Sequence, residues 1–194
     1  MAIGSKSRVL ESARELFYRN GFLATSVDDI IAAAGISKSN FYYHFRTKED
    51  LGLAVLSGRC EELQSALRAT LEEGPASPRE RLARFLRQVG EFHDQHGGCP
   101  FGNLVAEMSE HSERFRAELS AIFCCIAAIL EKTVRAGQEA GEVRGDIPAQ
   151  AVAALIVSAV QGAHLLAKCH KSWEPYEFTC NALLQLLLPV PSVS

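Results

Sequence analysis

Residues 25–51 read TSVDDIIAAAGISKSNFYYHFRTKEDL and predict two short helices joined by a tight turn. Ser26, followed three residues later by Asp29, is a helix-start signal of the capping-box type. Gly35 ends this helix, because glycine adopts the left-handed backbone conformation that closes a helix without strain. Ser37 then begins the second helix. Two short helices joined by a glycine-containing turn are typical of a helix-turn-helix.

The second helix of this pair has an apolar face and a polar face. At about 100° per residue, Phe41 and Phe45 lie on the same side, which we expect to face the core. The remaining surface offers hydroxyl, amide, aromatic and cationic groups, from Lys38, Ser39, Asn40, Tyr42, Tyr43 and His44. Such groups bind base edges and phosphates. Thr25 and Ser26 open the preceding helix, where free N–H groups favour a phosphate, and Lys48 opens the following helix and can bind a phosphate as a point charge. Each aromatic ring alone could instead pack on a neighbouring helix, but a core helix does not place serine beside asparagine on one side.

This segment strongly resembles the DNA-binding domain of TetR-family transcriptional regulators over about residues 5–52. The resemblance implies a dimeric repressor whose N-terminal three-helix domain binds double-stranded operator DNA and whose C-terminal domain binds an inducer and dimerises. It also implies phosphate contacts from Thr25, Ser26, Lys38, Tyr42, His44 and Lys48, and base contacts from Ser37, Ser39, Asn40 and Tyr43. We therefore predict a helix-turn-helix DNA-binding domain at residues 1–48 and a ligand-sensing and dimerisation domain at residues 49–194.

The rest of the sequence also predicts helices rather than strands. Apolar residues recur at helical spacing, and no run alternates between apolar and polar residues as a half-buried strand does. Breaks at residues 74–78 (GPASP) and 97–98 (GG) separate the helices. The sequence predicts an all-α protein of about nine helices, in which the N-terminal helix-turn-helix domain is followed by a C-terminal helical ligand-binding and dimerisation domain.

Charge is unevenly distributed along the chain. The 194 residues carry 20 Lys+Arg and 23 Asp+Glu, a net charge of −3, and 47% of them are hydrophobic. This composition excludes a disordered chain and a uniformly basic protein that coats nucleic acid. The first 60 residues nevertheless carry a net charge of +2, whereas the remaining 134 carry −5. A weakly basic head on an acidic body is compatible with a DNA partner for the head alone.

We expect a cytoplasmic protein that does not enter a membrane. The first residues are polar and no apolar signal segment follows them. The most apolar stretch, residues 147–167, contains Gln150, Ser158, Gln161 and His164, which a spanning helix would avoid. This stretch is better interpreted as a buried or dimer-interface helix.

A recognition helix of about eight residues reads few base pairs, so we expect a homodimer on a palindromic operator. Apolar residues near the end of the chain follow helical spacing and are candidates for pairing two copies: Leu155, Ile156, Ala159, Val160, Leu183 and Leu187. The alternative is that these residues only fill the core of one chain.

The C-terminal part contains candidates for a small-molecule site. An apolar cavity with a few polar groups is the usual form of such a site, and the candidate lining residues are Phe92, His93, Phe101, Asn103, Phe123, Gln161 and His164. Cys99 precedes Pro100, which favours a first helical turn, and a helix dipole there stabilises a reactive thiolate. The segments at 98–104, 167–168 and 172–175 resemble a branch of electrophile- and oxidant-responsive TetR-family repressors, which implies Cys99 and Lys168 as a sensing pair and an electrophile as inducer. The alternative is a buried, inert cysteine.

Three other interpretations compete with a regulator. Cys99 with His93 or His164 as base could form a cysteine-dependent enzyme, but this leaves the helix-turn-helix unexplained, and we expect no enzyme. A helical adaptor could use the head to bind protein. The spacing His93-x-x-His96-x-x-Cys99 has metal-ligand residue types. Two glycines interrupt that helix and zinc normally has four ligands, so we expect no metal and no cofactor.

Overall fold

The computed structural model describes residues 4–91 and 98–189. In this part of the chain the secondary structure consists of nine α-helices without β-strands, which confirms the predicted all-α fold. The helices are α1 (Ser5–Asn20), α2 (Val27–Ala34), α3 (Lys38–His44), α4 (Lys48–Leu71), α5 (Pro78–Glu91), α6 (Pro100–Met108), α7 (Glu113–Glu139), α8 (Ala149–His170) and α9 (Glu174–Leu186).

The described residues form two compact units. The first comprises the residues up to Glu62 together with Asn103–Leu119, and the second comprises the remainder. The first unit therefore takes in parts of α6 and α7, which are distant in sequence from the three N-terminal helices. The functional boundary between residues 48 and 49 stays a prediction.

The turn between α2 and α3 forms as the sequence predicts. The hydroxyl of Ser26 accepts a hydrogen bond from the backbone N–H of Asp29, whose carboxylate accepts one in return from the N–H of Ser26. Gly35 has φ 60° and ψ 46°, the left-handed conformation that ends α2. Ser37 caps α3 by accepting from the N–H of Asn40. These local signals fix the angle at which α3 leaves α2.

The core of the helix-turn-helix lies between α1, α2 and α3. Phe41 is fully buried and Phe45 is 5% exposed, as the helical spacing predicts. They pack in one cluster with Val9, Ala13, Ile30, Ala34 and Leu51. Burying these side chains on one side of α3 leaves its opposite side for solvent.

The second unit is built around α8, which packs closely on α9. The buried residues of α8 recur at helical spacing and include Val152, Ile156, Val160 and Ala163. By length and composition alone α8 could cross a membrane, but 39% of its most apolar window is buried inside the protein. A core helix meets the same criterion, so α8 gives weak support for a membrane span.

Candidate functional site

The outer side of α3 presents polar and aromatic groups to solvent. Tyr43 is 83% exposed and Tyr42 is 47% exposed. Ser39 is exposed, and its hydroxyl lies 3.0 Å from that of Ser37. Lys38 is exposed and pairs with Asp28 at 3.3 Å, an exposed contact that restrains it little. The structure therefore exposes Lys38, Ser39, Tyr42 and Tyr43, four of the residues predicted to contact DNA.

Two of the predicted DNA contacts on α3 are partly enclosed. Asn40 is half-buried, and its Oδ1 atom is buried without a hydrogen-bond partner among the described residues. An unsatisfied amide oxygen carries a desolvation cost that a donor from a ligand would remove. His44 is half-buried, and its Nε2 atom lies 2.9 Å from the hydroxyl of Ser5 at the start of α1.

The side chain of Thr25 is buried in the free protein, whereas the family resemblance implies a phosphate contact for this residue. The residue is 1% exposed. Its hydroxyl donates a 2.7 Å hydrogen bond to the carbonyl oxygen of Gly21. The neighbouring Ser26 remains exposed, although its hydroxyl donates to Asp29 at 2.6 Å. The side chain of Thr25 thus closes the loop before α2, and only Ser26 offers a hydroxyl at this helix start.

The half-buried Lys48 also binds other residues of the same chain. Its ammonium donates hydrogen bonds of 2.9 Å to the carbonyl oxygens of Phe22 and Thr25. It lies 4.6 Å from the centre of the Phe22 ring. Burial lowers the pKa of Lys48, and the nearby charge of Glu107 opposes that shift. Lys48 is therefore bound to a backbone loop in the free protein.

Two arginines that the sequence prediction did not include lie close to α2 and α3. Arg8 and Arg46 are exposed, and neither forms an ion pair with any of the described residues. A Cβ atom built on Gly35 would lie 4.0 Å from Nη1 of Arg8, so this guanidinium lies beside the α2–α3 turn. Arg46 comes two residues after the end of α3, and this position in the sequence was the available signal.

The residues around Cys99 form a second candidate site. Cys99 is 7% exposed and directly precedes the first residue of α6. A Cβ atom on Gly98 would lie 3.4 Å from Cδ of Lys168, and one on Gly102 would lie 2.6 Å from Oε1 of Gln161. The segment before and within the first turn of α6 therefore lies against the face of α8 that carries Gln161 and Lys168. The structure brings these three predicted residues together.

His164 is buried beside this segment. Its Nδ1 atom lies 2.8 Å from the carbonyl oxygen of Val160, and its ring centre lies 4.9 Å from that of Tyr176 and 5.7 Å from that of Trp173. Burial lowers the pKa of His164, which favours the neutral ring. Burial likewise raises the pKa of Tyr176. These groups form an uncharged aromatic cluster.

The other predicted ligand residues are not assembled by the described contacts. Phe101 is 6% exposed, whereas Asn103 on α6 and Phe123 on α7 are half-buried. Phe92, His93 and His96 lie outside the described residues. Within the described ranges, no group of three or more histidine, cysteine, aspartate or glutamate side chains could hold a metal ion.

The predicted dimer residues divide between two faces. Ile156, Val160, Leu183 and Leu187 are at most 5% exposed in a single chain, so they belong to its own core and not to its surface. Ala159 is half-buried and Leu155 is 50% exposed. The large apolar side chains that α8 and α9 expose are Leu155, Leu165, Leu166, Phe178 and Leu186. The apolar surface that α8 and α9 expose is therefore made mostly of residues other than the predicted ones; only Leu155 belongs to both sets.

Comparisons with known proteins agree with this architecture. Residues 9–55 match the model of bacterial regulatory proteins of the tetR family, and residues 78–183 match the tetracyclin repressor-like C-terminal domain. The HTH-type transcriptional repressor DhaR of Mycobacterium sp. (strain GP1) is 32% identical over 184 residues, which cover 95% of this chain and 92% of DhaR. The HTH-type transcriptional repressor NemR of Escherichia coli K12 is 28% identical over 200 residues, covering 97% and 96% of the two chains.

Solved structures give the same result. The crystal structure of E. coli NemR in its reduced form has a TM-score of 0.87 at 26% identity and covers 97% of this chain and 99% of that chain. A regulatory protein TetR from Rhodobacter sphaeroides has a TM-score of 0.88 at 27% identity, covering 95% and 99%. With one family model for each half and a full-length relative above 30% identity, this chain belongs to the TetR family and is a DNA-binding transcriptional regulator rather than an enzyme.

Proposed function

We propose that this protein is a homodimeric repressor that binds a palindromic operator with two copies of α3 and releases it when an electrophile reacts at Cys99. The observation that carries the DNA-binding part is the outer side of α3, where Tyr43 and Ser39 are exposed while Phe41 is buried. The relatives DhaR and NemR are both repressors, which supports repression over activation. One copy of α3 reads too few base pairs for tight binding, which supports a dimer.

The assignment of DNA contacts keeps the predicted residues except two: Thr25 is left out because it is buried, and Lys48 because its ammonium already binds loop carbonyls. We assign base contacts to Ser37, Ser39, Asn40 and Tyr43, and phosphate contacts to Ser26, Lys38, Tyr42 and His44. Arg8 and Arg46 join the phosphate contacts because both are exposed beside the α2–α3 unit. A base contact adds sequence preference, whereas a phosphate contact adds affinity that falls with salt.

Tyr43→Ala is expected to weaken binding to a palindromic duplex from the DNA flanking the gene by about 10- to 100-fold, as loss of a base contact does. Arg46→Gln should instead lower the slope of log affinity against log salt by about one, because one phosphate contact is lost. Fluorescence anisotropy between about 50 and 200 mM KCl measures both effects. Salt-independent binding of the wild-type protein, or identical behaviour of the two variants, would contradict the proposed interface.

The inducer part rests on the surroundings of Cys99. The thiol lies at the start of α6, where free backbone N–H groups and the helix dipole stabilise a thiolate. The segment around it lies against α8 near Lys168, whose positive charge would add to this effect. One solved structure of the relative NemR is described as its reduced form, which supports testing a redox or electrophile response in this protein. Tight burial limits the inducer to a small electrophile.

N-ethylmaleimide is expected to release the operator from the wild-type protein but not from the Cys99→Ser variant. Alkylation adds a bulky group to a residue that is 7% exposed, and the first turn of α6 must then move. Cys169→Ser serves as the matched control, because Cys169 is an exposed thiol on α8. Mass spectrometry gives the site and rate of labelling. If release follows labelling of Cys169 while Cys99 stays unmodified, Cys99 is not the sensor.

A further inference from the structure

The loop between α1 and α2, residues 21–25, is held by two charged side chains of opposite sign. Glu107 of α6 accepts hydrogen bonds from the backbone N–H groups of Phe22, at 2.9 Å, and Leu23, at 2.7 Å. Lys48 donates from the other side to the carbonyl oxygens of Phe22 and Thr25. We call Glu107 and Lys48 together the loop clamp.

The loop clamp satisfies backbone groups that no helix can satisfy. Phe22 and Leu23 lie between the last residue of α1 and the capping residue of α2, so their N–H groups have no partner within either helix. Hydrogen bonds from charged partners are stronger than those between neutral groups. The ring of Phe22, which is 4% exposed, anchors the same loop against Phe17 and Phe115, with ring centres at 4.9 and 5.0 Å. The loop is thus fixed by both its backbone and its side chain.

A fixed loop fixes the start of α2 and, through it, α3. The loop leads directly into Ser26, where α2 is capped, and only the short turn at Gly35 separates α2 from α3. An error in the position of α2 would therefore be passed to the side chains that face base edges. A misplacement of about 1 Å is enough to lose hydrogen bonds that depend on fixed geometry.

We propose that Lys48 and Glu107 are positioning residues for DNA binding, and that neither side chain contacts the DNA. This inference rests on the proposed DNA-binding function. It replaces the phosphate contact that the family resemblance implies for Lys48, because that ammonium already binds loop carbonyls. It also assigns a role in DNA affinity to Glu107, an acidic residue far from α3 in the sequence.

The sign of the Glu107 effect tests the proposal. Removing a negative charge from a DNA-binding unit strengthens binding if the charge acts only through its field. The clamp predicts the reverse, and Glu107→Ala is expected to weaken duplex binding by about tenfold, the effect of losing charged hydrogen bonds to a backbone. Glu110→Ala is the matched control, since Glu110 is exposed at the end of the same segment. Equal or tighter binding by Glu107→Ala overturns the proposal.

The salt dependence tests Lys48 separately. Lys48→Met is expected to weaken binding by a similar factor at every salt concentration and to leave the slope unchanged. Arg46→Gln provides the comparison, with a slope lower by about 0.9 for one lost phosphate contact. The effects of Lys48→Met and Glu107→Ala are expected to be non-additive, because both side chains hold one loop. The double variant should therefore have nearly the same DNA affinity as whichever single variant binds more weakly. A fall in slope for Lys48→Met identifies a phosphate contact and overturns its positioning role.

A measurement without DNA separates failure of the clamp from failure of the proposed function. Amide hydrogen exchange of Phe22 and Leu23 in the full-length protein is expected to accelerate in Glu107→Ala and to stay slow in Glu110→Ala. Circular dichroism under the conditions of the exchange experiment confirms that the variants remain folded. If exchange accelerates but wild-type protein binds no duplex, the clamp exists and the DNA-binding proposal fails. If exchange is unchanged, the clamp is refuted whatever the duplex data show.

Discussion

Phe41→Ala is expected to lower the free energy of unfolding of the helix-turn-helix core by about 3–5 kcal/mol and to abolish operator binding. Phe41 has no exposed surface and packs between α1, α2 and α3. Truncation leaves a cavity that neighbours such as Ile30 and Phe45 can fill only in part. Because typical domains are stable by about 5–15 kcal/mol, this loss removes a large share of the stability that holds α3 in place.

The measurement has to report on the first unit. Trp173, the single tryptophan, lies in the second unit, so its fluorescence does not follow the unfolding of α1–α3. Urea denaturation followed by circular dichroism, together with hydrogen exchange of the α1–α3 amides, gives the required signal. Tyr43→Ala is the control from the opposite side of α3, and it should lose DNA affinity without losing stability. Normal stability in Phe41→Ala would contradict the described core.

The parts of this fold that the sequence predicted correctly depend on local interactions. The capping box of Ser26 and Asp29, the left-handed Gly35 and the spacing of Phe41 and Phe45 each involve residues within four positions of one another. Such signals survive in a linear sequence because backbone conformation and helical periodicity determine them. The arrangement of α2 and α3 could therefore be predicted without knowledge of the rest of the chain.

The roles of Thr25 and Lys48 could not be predicted in this way. The Lys48 ammonium binds backbone atoms 23 and 26 residues away, and Glu107 reaches Phe22 across 85 residues. Backbone carbonyls carry no residue-specific signal, so no sequence pattern indicates that a lysine at a helix start turns inward. The same limit applies to Thr25, whose hydroxyl binds the carbonyl of Gly21.

The prediction of the dimer face met a different limit. A helix that is apolar on most sides, such as α8, has two sets of residues at helical spacing, and periodicity alone does not say which set faces the core. Ile156 and Val160 belong to the buried set, whereas Leu155 and Leu165 belong to the exposed one. Only the positions of neighbouring helices separate the two sets.

The exposed face of α8 is where we expect the proposed homodimer to form. Leu155, Ser158, Gly162 and Leu165 follow one another at intervals of three or four residues, so they share one stripe. A Cβ atom on Gly162 would have no neighbour within 4 Å, so a partner helix could approach closely there. On α9, Phe178 and Leu186 are also exposed. Large contiguous apolar surfaces on soluble proteins mark interaction sites.

The Leu155→Glu/Leu165→Glu variant is therefore expected to be a folded monomer with operator affinity reduced by about 100- to 10,000-fold, since two linked recognition helices bind with this advantage over one. Both leucines are at least half exposed in the single chain, so the charges cost little within the protomer. Burying four carboxylates without partners in a dimer interface would cost far more.

Sedimentation equilibrium and duplex binding on the same samples measure the two effects. Val105→Glu, an exposed apolar residue on α6, controls for the added charge. A variant that still sediments as a dimer would place the interface elsewhere, whereas a monomer with undiminished affinity would show that this protein reads its operator one copy at a time.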